Sequence, residues 1–151
     1  MEDALVVLND RDGDRNLLRE AAAYATGADA NLILYSPLSE AQFEESVSSL
    51  DQIGRMENKD YSDEDAIGVA EQIADSLASE ALEDFDVEWS VATDVIDELD
   101  ANRIIDLAEK HGCDHLFTLG QPRSPTGKAV FGDTTQKLIL NFPGYVTVSM
   151  N

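Results

Sequence analysis

Residues 103–120 read RIIDLAEKHGCDHLFTLG, and this stretch decides the fold. Its first part repeats apolar residues at helical spacing, which predicts a helix over residues 101–111 that ends at Gly112. The side chains expected on the inner side of that helix are Ile104, Ile105, Leu107 and Ala108. The second part, residues 115–120, is a short apolar run typical of a buried strand. A helix followed at once by a buried strand is the repeating unit of a layered α/β fold.

The same alternation continues on both sides of this stretch. Apolar runs at 4–8 and 31–36 predict two buried strands, joined by a helix over 15–27 that ends at Gly27. The other expected elements are a helix over 63–82, a half-exposed or edge strand over 87–93, a helix over 133–142 and a last strand over 145–150. The helix over 63–82 is expected to bury Ile67, Ala70, Ile73, Ala74, Leu77 and Ala81.

No repeat or low-complexity linker interrupts this pattern. The sequence therefore predicts one domain over residues 1–151, with an irregular, partly helical excursion at 37–62. Strands that alternate with helices imply a parallel sheet covered on both faces. In such sheets ligands bind beyond the carboxyl ends of the strands, where the strand order reverses. Asn9 and Asp10 after the first strand, and the loop from Gly120 onward, are therefore the first candidates for a site.

The composition limits the classes of function. The longest apolar runs are only a few residues, whereas a membrane-spanning helix needs about 20. The N-terminal MEDALVV carries acids where a signal peptide would carry cations, and the single Cys113 has no partner for an internal disulfide. We therefore expect a cytoplasmic protein without a membrane segment.

The charge of the chain is strongly negative. It has 31 acidic and 10 basic residues, for a net charge of −21. Such a surface repels phosphate backbones, which argues against DNA or RNA as a partner. The acids are spread over the whole length, and at about 1 M salt, where the Debye length is about 3 Å, their mutual repulsion would be largely screened. We interpret the surface as adapted to concentrated salt and expect a halophilic archaeal source.

The loop GQPRSPTGKAVFGD, residues 120–133, carries two cations in this acidic chain. Its glycines let backbone amides approach an anion, the following helix start offers unpaired N–H groups, and Arg123 and Lys128 add positive charge. Two interpretations stay open: an anion-binding loop, or ordinary turns whose cations pair with nearby carboxylates. The loop is not a Walker A motif, because Ala129 follows Lys128 and Pro122 stands where that motif has its first glycine.

A metal site is a weaker possibility. His111, Cys113 and His115 lie within five residues of one another and are residue types that bind metals. However, a helix end followed by a strand sends neighbouring side chains to different faces, and no fourth ligand stands at a suitable spacing. We expect these residues to be structural and expect no metal site.

Taken together, these features resemble the universal stress protein family. The resemblance rests on LVVLND at 5–10, on residues 103–120, on GQPRSPTGKAVFGDTTQKLI at 120–139 and on GYVTVSM at 144–150, and it covers nearly the whole chain except the excursion at 37–62. It implies an α/β three-layer sandwich with four helices and a five-stranded parallel sheet. The topology would be Rossmann-like, of the adenine-nucleotide-hydrolase type, with strand order 3-2-1-4-5.

Some members of that family bind ATP or AMP through a motif G-x2-G-x9-G-[S/T] after the fourth strand. Gly120 and Gly132 match its first and last glycines, but only eight residues separate Arg123, at the second glycine, from Gly132. Asp133 stands at the Ser/Thr position, beside Thr134. Asp133 is the main departure from the motif, because a carboxylate at a helix start can cap the N–H groups itself and repel a phosphate.

The resemblance implies a site for ATP or AMP, with Mg²⁺ as a further cofactor. Asp10 matches the aspartate that contacts the adenosine part in nucleotide-binding members, and Leu34 and Tyr35 lie where the second strand would line the base pocket. The complete candidate set is Asp10, Leu34, Tyr35, Gly120, Arg123, Gly127, Lys128, Gly132, Asp133 and Thr134.

The resemblance also implies a homodimer formed through the last strand. The candidate contacts are Tyr145, Val146, Val148 and Met150. The alternative is a monomer with an uncovered sheet edge.

The implied function is a non-catalytic regulatory or stress-response module. There are two alternatives: a slow ATP hydrolase that uses the same loop, and a purely structural dimeric module that binds no nucleotide. No general base for attack on a γ-phosphate is evident in the sequence, so the hydrolase is the weaker alternative, and whether the protein is an enzyme stays open.

The charge predicts that folding depends on salt. On transfer from multimolar KCl to dilute buffer we expect loss of the helical circular dichroism signal, because carboxylate repulsion is no longer screened. A protein that stays fully folded in dilute buffer would contradict the halophilic interpretation.

Overall fold

The computed structural model describes residues 3–8, 13–45, 63–96, 98–120 and 132–150. Within them, five strands form a parallel sheet in the order β3-β2-β1-β4-β5. The strands span Asp3–Val7 (β1), Leu32–Tyr35 (β2), Trp89–Ala92 (β3), Cys113–Leu119 (β4) and Tyr145–Ser149 (β5). The helices span Asp14–Ala28 (α1), Asp63–Ala81 (α2), Ala101–Lys110 (α3) and Asp133–Asn141 (α4), and residues 40–45 form a short helical segment. The predicted fold class and strand order are confirmed.

The central strand β1 and Leu8, the residue that follows it, supply side chains to two separate cores. Ala4, Val6 and Leu8 pack against α1 and α2, whereas Leu5 and Val7 pack against α3 and α4. None of these five side chains is more than 4% exposed. Full burial of one large aliphatic side chain contributes about 1.5–3 kcal/mol, so β1 holds both helical layers to the sheet.

The two helices on the first face pack through small residues. The buried alanines are Ala21, Ala22 and Ala25 of α1 and Ala70, Ala74, Ala78 and Ala81 of α2. Ile73 was expected on the inner side of α2 but is 67% exposed. The expectation is wrong because the alanines occupy the face toward α1, and the larger Ile73 lies at the margin of that face.

An arginine fixes the chain where it leaves α2. The Arg19 guanidinium donates hydrogen bonds to both carboxylate oxygens of Asp84, at 2.9 and 3.1 Å, and to the Ala81 carbonyl at 2.8 Å. It also lies 5.0 Å from the centre of the Phe85 ring. Exposed ion pairs stabilise little on their own, so these contacts mainly set the direction of the chain toward β3.

Helix α1 ends differently from the prediction. Gly27 lies inside the helix, and Asp29 adopts the left-handed backbone with φ 56°. The N–H groups of Asp29 and Ala30 both donate to the Ala25 carbonyl, which closes the last turn as a terminal glycine usually does. Aspartate visits this conformation more readily than most residues, so the assignment of Gly27 as the stop is wrong. Gly112, with φ 69°, follows α3 as predicted.

Both sheet edges are partly exposed. β3 forms one edge, as its alternating sequence predicts, and Trp89 Nε1 donates a hydrogen bond to Asp75 of α2 at 2.9 Å. β5 forms the other edge, with Tyr145 67% exposed. The last strand is therefore an edge strand, as expected.

Two glycine substitutions should have opposite effects on stability. Gly27→Ala should raise the free energy of unfolding by about 0.5–1 kcal/mol, because Gly27 is helical and an added Cβ meets nothing within 4 Å. Gly112→Ala, the control, should lower it by about 1 kcal/mol, because its left-handed backbone strains a side chain. Urea unfolding in concentrated salt measures both. Destabilisation by Gly27→Ala would mean that Gly27 does end the helix.

Candidate functional site

The candidate site, the crevice between the carboxyl ends of β1 and β4, is expected at a switch point of the sheet. These strands are neighbours, with Val6 beside Phe117, yet the chain leaves them toward opposite faces of the sheet. β1 leads to α1, which packs on one face, and β4 leads to α4, which packs on the other. This divergence is the switch point at which open α/β sheets bind ligands.

Close backbone packing forms the described rim of this crevice. A Cβ added to Gly13, at the start of α1, would lie 2.9 Å from Leu119 Cδ2 at the end of β4. A Cβ added to Gly120 would lie 2.8 Å from Met150 Sδ and 2.9 Å from Val148 Cγ1. The Gly120 N–H donates to the Ser149 carbonyl at 2.7 Å. Gly120 therefore serves to bring β5 close to the crevice.

The start of α4 is the second described part of the candidate site. Gly132 is the N-cap residue, and no side chain there hydrogen-bonds the first N–H groups of the helix. Asp133 is exposed in the first turn, and the Thr134 hydroxyl donates to the Leu99 carbonyl at 3.0 Å. An anion at this position would meet both the helix N-terminus, which attracts it, and the Asp133 carboxylate, which repels it.

The remaining candidate residues fall into two groups. Leu34 and Tyr35 are both fully buried, Leu34 against α1 and α2 and Tyr35 in the core on the other face. Four further candidates lie outside the described residues: Asp10, Arg123, Gly127 and Lys128. The described part of the candidate site is thus Gly120 and the start of α4 at residues 132–134.

A cavity of about 320 Å³ lies beside the carboxyl ends of β1 and β2. Its polar lining consists of Asp14, Ser36, Gln42 and Glu45, and its apolar lining includes Leu8 and one side of α2. This cavity was not predicted from the sequence. The one feature of the sequence that could have indicated it is the position of Leu8 and Ser36 at the carboxyl ends of the first two strands, where ligands bind in such sheets.

A partly buried polar cluster lies at the same edge of the sheet, on the opposite face. The Tyr35 hydroxyl donates to Asp94 Oδ2 at 2.9 Å, and Arg103 of α3 donates to the two Asp94 oxygens from Nε at 2.7 Å and Nη2 at 3.3 Å. The cluster therefore ties the ends of β2 and β3 to the first turn of α3. Sequence analysis missed it because its members are far apart in the chain.

The environment of this cluster shifts two pKa values. Burial raises the pKa of Tyr35 far above its ordinary value, and the hydrogen bond to the Asp94 carboxylate raises it further. Burial also acts to raise the pKa of Asp94, but hydrogen bonds from Arg103 and Tyr35 outweigh it, so that pKa lies below its ordinary value. The cluster is thus a neutral phenol and an ionised carboxylate beside a cation.

The histidine near the start of β4 belongs to an aromatic group. His115 Nδ1 lies 2.8 Å from both the Tyr24 hydroxyl and Asp114 Oδ1, and its ring stacks on Tyr145 at 4.7 Å. Cys113 is buried, and among the described residues no group of three or more His, Cys, Asp or Glu side chains is placed to hold a metal ion. Nor does any helix in those parts of the chain combine the length and apolarity needed to cross a membrane.

Comparison with known proteins agrees with the architecture. The sequence matches the Universal stress protein family over residues 1–149. A universal stress protein from Archaeoglobus fulgidus has a similar structure, with a TM-score of 0.65, 21% identity and 98% of each chain covered. Comparison with curated proteins gives no match.

Two similar structures contain nucleotides. One is a universal stress protein from Archaeoglobus fulgidus in complex with dAMP, with a TM-score of 0.61, 16% identity, and 98% of this chain and 97% of that chain covered. The other is a universal stress protein in complex with cAMP, with a TM-score of 0.59, 13% identity, and coverage of 99% and 98%. At these identities the similarity shows the fold alone.

The Asp94 cluster predicts a pH-dependent contribution to stability. A folded-state pKa below the ordinary value of about 3.9 stabilises the protein above that pH, and the contribution is lost as the pH falls through the lower folded value. Asp94→Asn should therefore lower the free energy of unfolding by about 1–2 kcal/mol at neutral pH. This difference in free energy of unfolding between the variant and the wild type, the stability gap, should become smaller in acid.

Urea titrations from neutral to acidic pH, in concentrated salt, measure this gap. Glu109→Gln, an exposed carboxyl change on α3, is the control and should leave stability nearly unchanged at every pH. A gap for Asp94→Asn that does not vary with pH would contradict the assignment.

Proposed function

The chain belongs to the universal stress protein family, and on that premise we propose that it is a stress-response regulatory protein that binds ATP or AMP in the crevice between β1 and β4. The observation that carries the proposal is the divergence of these neighbouring strands toward helices on opposite faces. A crevice at such a switch point is where this class of sheet binds nucleotides. The complexes of similar proteins with dAMP and cAMP support the choice of ligand.

A phosphate in the proposed site experiences both attraction and repulsion. The helix start at Gly132 offers N–H groups to a phosphate, whereas Asp133 repels it. Two unit charges about 4 Å apart repel by about 1 kcal/mol in water and by about 4 kcal/mol at an effective dielectric of about 20. In this proposal Arg123, Lys128 and a bound Mg²⁺ offset that repulsion. Asp10 and Gly127 complete the site.

The proposal assigns regulation without turnover, and it uses the groups of the site for binding. Gly120, Gly132 and Thr134 supply backbone and hydroxyl contacts, and Asp133, the described carboxylate of the site, is given no role as a proton acceptor for attack on a γ-phosphate. The proposal includes a cytoplasmic location and a saline environment, for which the evenly distributed net charge of −21 is the support. The alternative is a slow ATP hydrolase, and a phosphate-release assay distinguishes it from a regulator that binds nucleotide without turnover.

Nucleotide binding can be tested by calorimetry in multimolar salt. We expect AMP and ATP to bind the wild type, and Asp133→Ser to bind more tightly, by at most about fivefold, because removal of a carboxylate relieves up to about 1 kcal/mol of repulsion that salt partly screens. Asp86→Ser removes an exposed carboxylate just before β3, at the opposite edge of the sheet, and should leave affinity unchanged. If neither the wild type nor Asp133→Ser binds, the proposal fails. Steady release of phosphate from ATP would favour the hydrolase.

We also propose that two copies pair through β5. Six large hydrophobic residues of the described chain are exposed, and four of them lie in its last segment: Ile139, Leu140, Tyr145 and Met150. Val146 and Val148 on the same strand are half-buried, and no described strand lies beyond β5. Pairing with a second copy would satisfy the open backbone edge and cover this apolar surface.

Sedimentation velocity in multimolar salt tests the dimer. The wild type should sediment as a dimer at micromolar concentration, and Tyr145→Lys should shift it toward monomer by placing repelling charges at the interface. Ser90→Lys introduces the same residue at an exposed position of the other edge strand, β3, and should leave the dimer intact. A monomeric wild type would exclude this interface.

A further inference from the structure

Helix α4 is short and has few buried side chains. It has nine residues, and only Thr135 and Leu138 among them are buried. Gly132, its N-cap residue, has no side chain, and no side-chain hydrogen bond caps the first N–H groups. A helix end with so little apolar packing frays unless another contact holds it. The position of the first turn of α4 therefore depends on the polar contacts that this turn makes.

Thr134 in that first turn makes a contact with a distant part of the chain. Its hydroxyl donates to the Leu99 carbonyl at 3.0 Å, and the two residues are 35 positions apart. Leu99 belongs to the connection between β3 and α3. The hydrogen bond is partly buried, so water competes with it less than it would at the surface. The start of α4 is thereby tied to the segment that leads into α3.

The acceptor of this hydrogen bond is itself held in place. The Leu99 side chain is partly buried and packs on the core that α3 and α4 cover. The next residue, Asp100, caps α3, because its Oδ1 accepts from the Asn102 N–H at 2.9 Å. The Asp100 carbonyl also accepts from the Ile104 N–H at 3.1 Å. A carbonyl fixed between a core side chain and a helix cap is a rigid anchor for Thr134.

The Thr134 hydroxyl has a single proton to donate. A threonine hydroxyl is one O–H donor, and its remaining capacity is to accept hydrogen bonds. The unprotonated oxygens of a phosphate group only accept hydrogen bonds. While Thr134 donates to Leu99, its hydroxyl therefore cannot donate to a phosphate. Thr134 can then contribute to an anion site only through its backbone N–H and through the position that it gives to the first turn.

We infer that Thr134 is a positioning residue of the proposed nucleotide site: its hydrogen bond to Leu99 fixes the first turn of α4, and with it the N–H groups that receive the phosphate. The hydroxyl contacts Leu99 and not the ligand. Thr134 therefore does not replace the Ser or Thr that the family motif has at position 133, where this chain has Asp133. The inference rests on the proposed function and adds to it the role of one side chain.

Calorimetry with two ligands separates positioning from a general loss of structure. AMP and adenosine share the base and the ribose, but only AMP has a phosphate. In multimolar KCl we expect Thr134→Val to bind AMP about fivefold more weakly than the wild type, which is the usual effect of losing one hydrogen bond. Adenosine should bind both proteins equally. Thr134→Ser keeps the hydroxyl and should bind AMP as the wild type does.

Thr26→Val is the matched control for Thr134→Val. Thr26 is exposed near the end of α1, far along the helix from the crevice, and the substitution removes the same hydroxyl. It should leave the affinity for AMP unchanged. If the wild type binds no AMP, the nucleotide proposal fails and this inference fails with it. If the wild type binds AMP, three results would overturn the inference alone: unchanged AMP affinity in Thr134→Val, an equal loss of adenosine affinity, or weakened binding in Thr134→Ser.

The carbonyl carbon signal of Leu99 in the NMR spectrum distinguishes positioning from direct contact with the phosphate. Donation of a hydrogen bond to a carbonyl moves its carbon signal downfield, so without nucleotide the Leu99 signal of Thr134→Val should lie upfield of the wild-type signal. In the wild type we expect AMP to leave this signal at its hydrogen-bonded position. An upfield shift on addition of AMP would mean that the hydroxyl turns from Leu99 to the phosphate, which would overturn the inference. This measurement on the wild type does not depend on the folding of any variant.

Discussion

The pairing of β1 with β4 is the constraint on which the rest of the structure depends. β1 is buried on both faces, so helices must cover both sides of it, and β4 lies alongside it in parallel. Because the chain leaves these two strands toward opposite faces, their carboxyl ends cannot be covered by one connection. A crevice at this point is therefore a consequence of the topology, before any particular side chain is considered.

The strong negative charge changes the interactions between surface residues more than the packing of the two apolar cores. The described arginines are used to join elements: Arg15 to Glu80, Arg19 to Asp84 and Arg103 to Asp94. Exposed pairs of this kind contribute little to stability, and concentrated salt weakens them further. Stability must therefore come mainly from the two apolar cores, whose interactions salt does not screen. The Asp94 pair differs from the other two, since its partial burial and its contact with Tyr35 link it to the core.

Apolar spacing in the sequence predicted the strands and helices and the exposure of β3, because it reports which side of each element is buried. The family resemblance added the strand order. Tertiary structure decided the exposure of Ile73, since that depends on how closely the alanines let α2 approach α1. It also decided the Asp29 helix end, which rests on local backbone hydrogen bonds rather than on a glycine. The Tyr35–Asp94–Arg103 cluster and the cavity came only from the fold, because their groups are brought together from distant parts of the chain: Tyr35 and Asp94 are 59 residues apart. Local apolar spacing cannot predict contacts between residues so far apart in the chain.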